Sequence, residues 1–120
     1  MASLKEYAIS RVATVSSVDM KTAASTTLYT VPTGKTFIPT NVVIRNTSAS
    51  LAGGTDYDFT NWKQTVDLSA MTTLATDCIV LDSNNTNYAI CAAGSNFQIT
   101  VSTGSTAACT ATIDVFGYLF

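Results

Sequence analysis

Apolar and polar residues alternate along most of this chain, which is the pattern of β-strands that bury one face. Residues 36–46 show it clearly, because Ile38, Val42 and Ile44 share one parity. The run 107–120 has the longest alternation in the chain. One parity is apolar throughout, and the other passes from polar residues to Phe116 and Tyr118. These two runs predict long strands, and the apolar character of the last one predicts either a place in the middle of a sheet or cover by another chain.

Leu28–Thr47 is the stretch around which the other runs are arranged. Two β-branched, apolar runs lie on either side of Pro32-Thr33-Gly34-Lys35. Proline presets φ at a turn, and glycine can adopt the positive φ that a type II turn requires. We therefore predict a hairpin-like corner here. Gly34 followed by Phe37 recurs 60 residues later as Gly94 followed by Phe97, so the two halves of the chain are expected to have similar strand connections.

Eight alternating or apolar runs, separated by turn residues, predict about eight strands. They are 7–16, 26–31, 36–46, 55–60, 78–81, 87–91, the run that contains Phe97, Ile99 and Val101, and 107–120. Of these, 78–81 is wholly apolar and is predicted to be buried on both faces. Residues 66–73 are predicted to be irregular, and 102–105 to close a hairpin into the last strand.

The fold class that follows is all-β: a jelly-roll-like antiparallel β-sandwich of about eight strands, in a single domain. An immunoglobulin-like sandwich and a small closed barrel are the alternatives. A chain of 120 residues buries roughly two thirds of its unfolded surface and needs no metal or disulfide to hold a core. We place the sandwich domain at residues 7–120 and an N-terminal arm at residues 1–6.

The arm and the loop 47–54 lack strand periodicity and are the segments predicted to contact a partner. In the loop, Leu51 is an isolated apolar residue, which either folds back onto the core or forms a contact knob on the surface. The predicted contact residues are Met1, Ala2, Ser3, Leu4, Lys5, Leu51, Ala52 and Gly53.

Charge and composition narrow the classes of partner. Only 12% of the residues are charged, which favours packing against other subunits. The net charge is −2 and the six basic residues are scattered, so no nucleic-acid surface is expected. No apolar run reaches the length of a signal-peptide core or a membrane span. We expect no membrane partner and synthesis in the cytosol of the producing cell.

Catalytic chemistry is not indicated. The chain has no histidine, which removes the commonest general base and metal ligand. Its three cysteines, Cys78, Cys91 and Cys109, follow or precede strand-forming residues, and we expect them to be reduced, buried and inert. We therefore predict no enzyme activity, no catalytic residue and no cofactor.

Two further clusters have a functional and a plain interpretation. Asp56 and Asp58 share one strand face, with Asp67 near them in sequence, and a carboxylate pair could serve glycosidase chemistry. With Asp82 and Asn84 the same pair could supply oxygen ligands for calcium. A solvated strand face is the interpretation we prefer, so no metal site is predicted.

The second cluster is aromatic: Trp62, Tyr57 and Tyr88 suggest a sugar-stacking platform. Core aromatics are the preferred interpretation, and a small-molecule ligand is not expected.

Three stretches of sequence carry a family resemblance. Residues 31–59 (VPTGKTFIPTNVVIRNTSASLAGGTDYDF), 62–69 (WKQTVDLS) and 97–120 (FQITVSTGSTAACTATIDVFGYLF) resemble short virion proteins of tailed bacteriophages. In particular they resemble the small β-sandwich cement, or head-decoration, proteins. Similar sequence patterns are found in phage tail-tip and baseplate domains.

The resemblance implies a structural protein of the virion. It implies a jelly-roll protomer that forms homotrimers, lies on the capsid surface, binds the major capsid protein and stabilises the shell by bridging capsid subunits. Synthesis would take place in the host cytoplasm. The alternative is a phage tail-tip, baseplate or host-glycan-binding β-sandwich module.

Overall fold

The computed structural model describes residues 9–60, 62, 65–82 and 90–120. The predicted arm 1–6 and most of the predicted strand 87–91 lie outside the described residues. Within them the chain forms eight strands and no helix. The strands are β1 (Ser10–Asp19), β2 (Ser25–Thr30), β3 (Phe37–Arg45), β4 (Asp56–Phe59), β5 (Thr65–Val66), β6 (Ile79–Asp82), β7 (Asn96–Thr103) and β8 (Thr110–Leu119).

The strands form two four-stranded antiparallel sheets. The first sheet has the order β1-β8-β3-β6 and the second β2-β7-β4-β5. Each strand of the first half is hydrogen-bonded to its counterpart in the second half: β1 to β8, β2 to β7, β3 to β6 and β4 to β5. This nested pairing is the wiring of a jelly roll. The predicted all-β, jelly-roll-like sandwich is confirmed.

The two predicted hairpins are wrong, because the strands that flank each turn lie in different sheets. The turn at Pro32 does form: the Lys35 amide donates to the Pro32 carbonyl over 3.1 Å, and Gly34 has a φ of 76°. It carries the chain from β2 in the second sheet to β3 in the first. Residues 104–109 likewise carry it from β7 to β8. Local turn signals show where a chain reverses, whereas the sheet that it enters is decided by long-range burial.

Strand β1 differs from its prediction because two bulges interrupt its pairing with β8. The register shifts between Arg11 and Ala13 and again between Val15 and Val18. Ser17, in the second bulge, has a φ of 59°. Each extra residue moves the following side chains to the opposite face. Val18 is consequently buried in a segment for which the alternation predicted a turn.

Strand β6 is an edge strand and is not buried on both faces as predicted. Val80 is 66% exposed, because β6 pairs only with β3 among the described strands. A short run of four apolar residues has the same sequence signature in a central strand and at a sheet edge. The central place of β8, between β1 and β3, is confirmed.

The core lies between the sheets, and the recurring glycine–phenylalanine pairs meet in it. Gly34 and Gly94 both have positive φ, 76° and 80°. Phe37 and Phe97 are fully buried, with ring centroids 6.2 Å apart in an edge-to-face arrangement. The Phe37 amide donates to the Cys91 carbonyl over 3.0 Å, which ties the start of β3 to the segment before β7. The two half-chains are therefore joined at matching positions.

Candidate interaction surface

The outward face of the first sheet is set by the parity of its two central strands. Ile113 and Ile44 are directly paired and fully buried, so they point into the core. Their neighbours along the strands, Asp114 and Val43, are also paired and point the other way. Directly opposed residues of antiparallel strands share a face, which makes the register a map of this surface.

Three of the rows of side chains that cross this face contain most of its apolar residues. At one end Tyr118 pairs with Ile38. In the next row Phe116 pairs with Arg11 on one side and with Asn41 on the other. Asn41 in turn pairs with Asp82 on the edge strand β6.

The third row runs Thr14, Asp114, Val43 and Val80. Across the three rows, apolar side chains outnumber charged ones in the centre of the sheet.

Six apolar side chains on this face form what we call the apolar patch. Ile9 is 49% exposed and Val80 66%, and the other members are partly buried. Two depressions that share Asn41, of about 490 Å³ and about 230 Å³, run across it. The members of the patch are Ile9, Ile38, Val43, Val80, Phe116 and Tyr118. An exposed apolar area on a sheet face marks a site for contact with another macromolecule.

Beside the patch, a carboxylate is covered by two polar neighbours. The Thr14 hydroxyl donates to Asp114 Oδ1 over 2.7 Å, and Arg45 Nε donates to Asp114 Oδ2 over 2.8 Å. Only 5% of Asp114 is exposed. The hydrogen bond from Arg45 lowers the pKa of Asp114, with smaller contributions from Thr14 and from the charge of Arg11, against the opposing effect of burial. The charge of Asp114 is thus paired with Arg45 within the sheet surface, and no exposed carboxylate of Asp114 interrupts the apolar patch.

The predicted contact residues have mixed outcomes. Met1, Ala2, Ser3, Leu4 and Lys5 lie outside the described residues. Ala52 and Gly53 are exposed, and their contact with a partner stays a prediction. The list is corrected at one position, which is the loop residue Leu51.

Leu51 is fully buried, so the prediction that it forms an exposed contact is wrong. Its amide donates to the Met71 carbonyl over 2.9 Å, and the Thr106 amide donates to the Ala52 carbonyl over 2.9 Å. These bonds hold the loop against the rest of the chain and turn its one large apolar side chain into the core. The alternative interpretation, that Leu51 folds back onto the core, is the one that the structure bears out.

The acidic residues do not assemble into a cation site in the part of the chain that is described. Asp56 and Asp58 lie on the outward face of β4, whereas Asp82 belongs to the other sheet. No three acidic or cysteine side chains come together among the described residues. Burial and the neighbouring charge of Asp58 raise the pKa of Asp56. Asn84, the other residue considered as a calcium ligand, lies outside the described residues.

The aromatic residues proposed as a sugar platform are core residues. Tyr57 is fully buried and its hydroxyl donates to the Met20 carbonyl over 2.8 Å. Trp62 is 6% exposed and packs on Phe59 and Phe97, with centroid distances of 5.2 Å and 6.0 Å. Neither ring offers a face to solvent, and Tyr88 lies outside the described residues.

The cysteines follow the prediction at two positions of three. Cys91 and Cys109 are buried, and the Cys109 thiol donates to the Ala49 carbonyl over 3.2 Å. Cys78 is exposed, which corrects the prediction for this residue. It precedes the edge strand β6, where one side of the chain has no neighbouring strand within the description.

Sequence reasoning did not identify the apolar patch as a site, although the signal is present. The outward face of β3 and β8 should be polar in a solvated sheet, yet it holds Ile38, Val43, Phe116 and Tyr118. Ile38 was expected on the buried parity, and the bulge between Pro39 and Asn41 corrects this by shifting it to the outward face. Apolar residues on both parities of a strand indicate a second buried face.

Comparison with known proteins adds no assignment. No helix in the described part of the chain has the length and apolar character needed to cross a membrane. No protein-family model matches the chain, and no curated protein matches it.

Proposed function

We propose that this chain is a structural protein of a tailed-bacteriophage virion, a cement or decoration protein that binds the outside of the capsid. It stabilises the shell by bridging capsid subunits. The observation that supports the proposal is a jelly-roll sandwich with an apolar patch on one outward sheet face, which favours assembly with other subunits. The sequence resemblance to small head-decoration proteins supplies the assembly to which such a surface would belong.

The physical basis is burial of apolar surface between rigid partners. Each Å² of apolar surface removed from water contributes about 25 cal/mol. A sheet presents its side chains on a fixed pleat, so little conformational entropy is lost when its outward face is covered. A decoration protein needs this property, because it adds stability to a shell only through the surface that it buries.

Further expectations accompany the proposal. The partners are the major capsid protein and other copies of this chain in a homotrimer. The location is the capsid surface of the virion, after synthesis in the host cytoplasm. The capsid contacts are the segment Met1–Lys5 and the exposed loop residues Ala52 and Gly53. No enzymatic activity is proposed.

The second candidate is a phage tail-tip, baseplate or host-glycan-binding module. The glycan version is weakened by the burial of Trp62 and Tyr57, because sugar stacking needs an exposed ring face. The tail version uses the same kind of apolar surface and differs in location and copy number. The copy number of the chain per particle therefore distinguishes a tail protein from a decoration protein.

Gel densitometry of purified particles tests the proposal. A decoration protein is expected at a copy number comparable to that of the major capsid protein and on DNA-filled heads separated from tails. Recovery of the chain only with tails, at a small fraction of that copy number, would contradict it.

A binding experiment tests the contact residues. We expect deletion of Met1–Lys5, or Ala52→Asp, to weaken binding to particles that lack the protein, with the thermal melt of the isolated chain nearly unchanged. Thr33→Asp, in the exposed turn before β3, is the matched control and should bind as the unmodified chain does. Equal binding by all four proteins would remove these segments from the contact.

A further inference from the structure

We propose that two copies of this chain pack face to face through the outward face of the first sheet, related by a two-fold axis parallel to the strands. The axis passes between β8 and β3, the two central strands. The occupant of the apolar patch is thus the same patch on a second copy. This inference goes beyond the proposed function. It assigns the apolar patch to contact between copies of the chain, and the proposed capsid contacts stay at Met1–Lys5, Ala52 and Gly53.

The first argument is the charge pattern of one row. The row runs Arg11, Phe116, Asn41 and Asp82, from the edge strand β1 to the edge strand β6. A cation stands at one end and a carboxylate at the other, about 14 Å apart for three strand spacings. Arg11 and Asp82 are both exposed. The row therefore has opposite charges at equal distances from the line between β8 and β3.

Rotation about that line makes the row complementary to itself. In face-to-face packing, a two-fold axis parallel to the strands places β1 of one copy over β6 of the other, and β8 over β3. Arg11 then faces Asp82 of the second copy, and Asp82 faces its Arg11, which gives two equivalent ion pairs. A two-fold interface requires this kind of self-complementarity. Ion pairs at the rim of an interface also fix its register.

The second argument is that the same rotation matches the apolar row. Tyr118 and Ile38 are paired across β8 and β3, at equal distances from the axis. Tyr118 of one copy therefore faces Ile38 of the other, twice. Aligned packing of two sheets, at about 30° between their strands, is a common arrangement and interdigitates side chains of this kind.

The covered carboxylate fits the same interface. Asp114 lies two residues from Phe116 and would face Val43 of the second copy. Arg45 and Thr14 already satisfy both of its oxygens, at 2.8 Å and 2.7 Å. A carboxylate that is paired within its own chain can enter an interface without leaving a charge unpaired there.

The two-fold contact uses a surface separate from any that would join copies around a three-fold axis. Through this contact alone the protein has the mass of two chains. If the homotrimer expected from the family resemblance also forms, the mass is that of six chains. In both cases the number of chains is even, which is what the experiment measures.

Charge exchange tests the proposal by light scattering on the full chain. Arg11→Glu places two carboxylates in contact, and Asp82→Arg places two cations in contact, so each variant alone is expected to weaken the association by about tenfold or more. An equimolar mixture of the two variants is expected to restore it, because each contact then joins opposite charges. Lys21→Glu, an exposed charge change off this face, should leave the mass unchanged.

The mixture keeps the test decisive, because it succeeds only if both variants are folded and the two edges meet. An even number of chains for the unmodified protein, loss in each variant and recovery on mixing would establish the contact. A monomer or trimer mass for the unmodified protein would overturn it. So would loss in each variant without recovery on mixing, given unchanged thermal melts. Particle binding is measured separately, so failure of the proposed function and failure of this contact are distinguishable.

Discussion

At the scale of single residues, the two carboxylates Asp114 and Asp56 have opposite environments although both lie on outward strand faces. Asp114 accepts hydrogen bonds from Arg45 and Thr14. Asp56 lies beside Asp58 and has a covered Oδ1 that no described residue satisfies. The pKa of Asp114 is lowered and that of Asp56 is raised. Their contributions to stability therefore change with pH in opposite directions.

Asp114→Asn is expected to destabilise the protein at neutral pH. A carboxyl group whose pKa is lowered by folding contributes stability above its unfolded pKa, about 3.9, and loses it as the pH falls through the folded pKa. The difference in free energy of unfolding between the unmodified chain and the variant should therefore shrink below about pH 4. Urea unfolding at a series of pH values measures it. A difference that stays constant from neutral pH to pH 2 would show that the ion pair contributes no stability.

Asp56→Asn is expected to have the opposite effect, with equal or greater stability at neutral pH. Burial and the charge of Asp58 oppose ionisation of Asp56, so its carboxylate costs stability at pH values above its ordinary pKa. The gain should disappear as the pH falls and both forms become neutral.

Asp58→Asn is the matched control for this change. Asp58 accepts a hydrogen bond from the Thr65 hydroxyl over 3.1 Å, and its replacement disturbs that bond while relieving the same repulsion. A lower urea midpoint for Asp56→Asn than for the unmodified chain at neutral pH would contradict this account of the pair.

At the scale of strands, β8 is the element on which the first sheet depends, and Gly117 is its tightest point. Gly117 is buried between Ser10 of β1 and Pro39 of β3, to which it is paired. A Cβ at this position would overlap the Ile38 carbonyl oxygen and the ring of Phe37. These neighbours are backbone and a fully buried ring, so neither can move aside freely.

Gly117→Ala is therefore expected to destabilise the protein by about 1–3 kcal/mol or more, the usual cost of overpacking a core. Gly34→Ala is the comparison. Gly34 has open space around its Cβ position and a φ of 76°, so its replacement adds backbone strain of about 1–2 kcal/mol without a clash. Thermal and urea unfolding rank the two. A smaller loss for Gly117→Ala than for Gly34→Ala would mean that β8 shifts to accept the methyl group.

The strands also show what the sequence could predict. Strands β7 and β8 follow their alternation because one parity of each faces the core without interruption. Strand β3 does not, because a bulge between Pro39 and Asn41 moves Ile38 to the outward face. Strand β1 departs from it because a bulge changes which parity is buried, and a bulge leaves no fixed sequence signature. Leu51 and Cys78 were misplaced for a related reason. Whether a lone residue in a loop or at an edge is covered depends on segments distant in sequence.

At the scale of the whole molecule, alternation and turn signals were enough for the all-β sandwich, because each strand shows locally that it buries one face. The exchange of sheets at residues 31–36 and 104–109 was not predictable from those signals. Neither was the apolar patch, since its members are distant in sequence and become neighbours only through the register of β1, β8, β3 and β6.

The position of β8 has a consequence for how the protein folds during its synthesis. It is the last strand in chain order, yet it is the neighbour of β1, the first, and it separates β1 from β3. While the ribosome is still adding residues before Thr110, β1 has no partner in its sheet and β3 has one open edge. Contacts between segments so distant in sequence form slowly. The emerging chain therefore carries exposed strand edges until β8 has been synthesised, and the first sheet is expected to form only after that strand has left the ribosome.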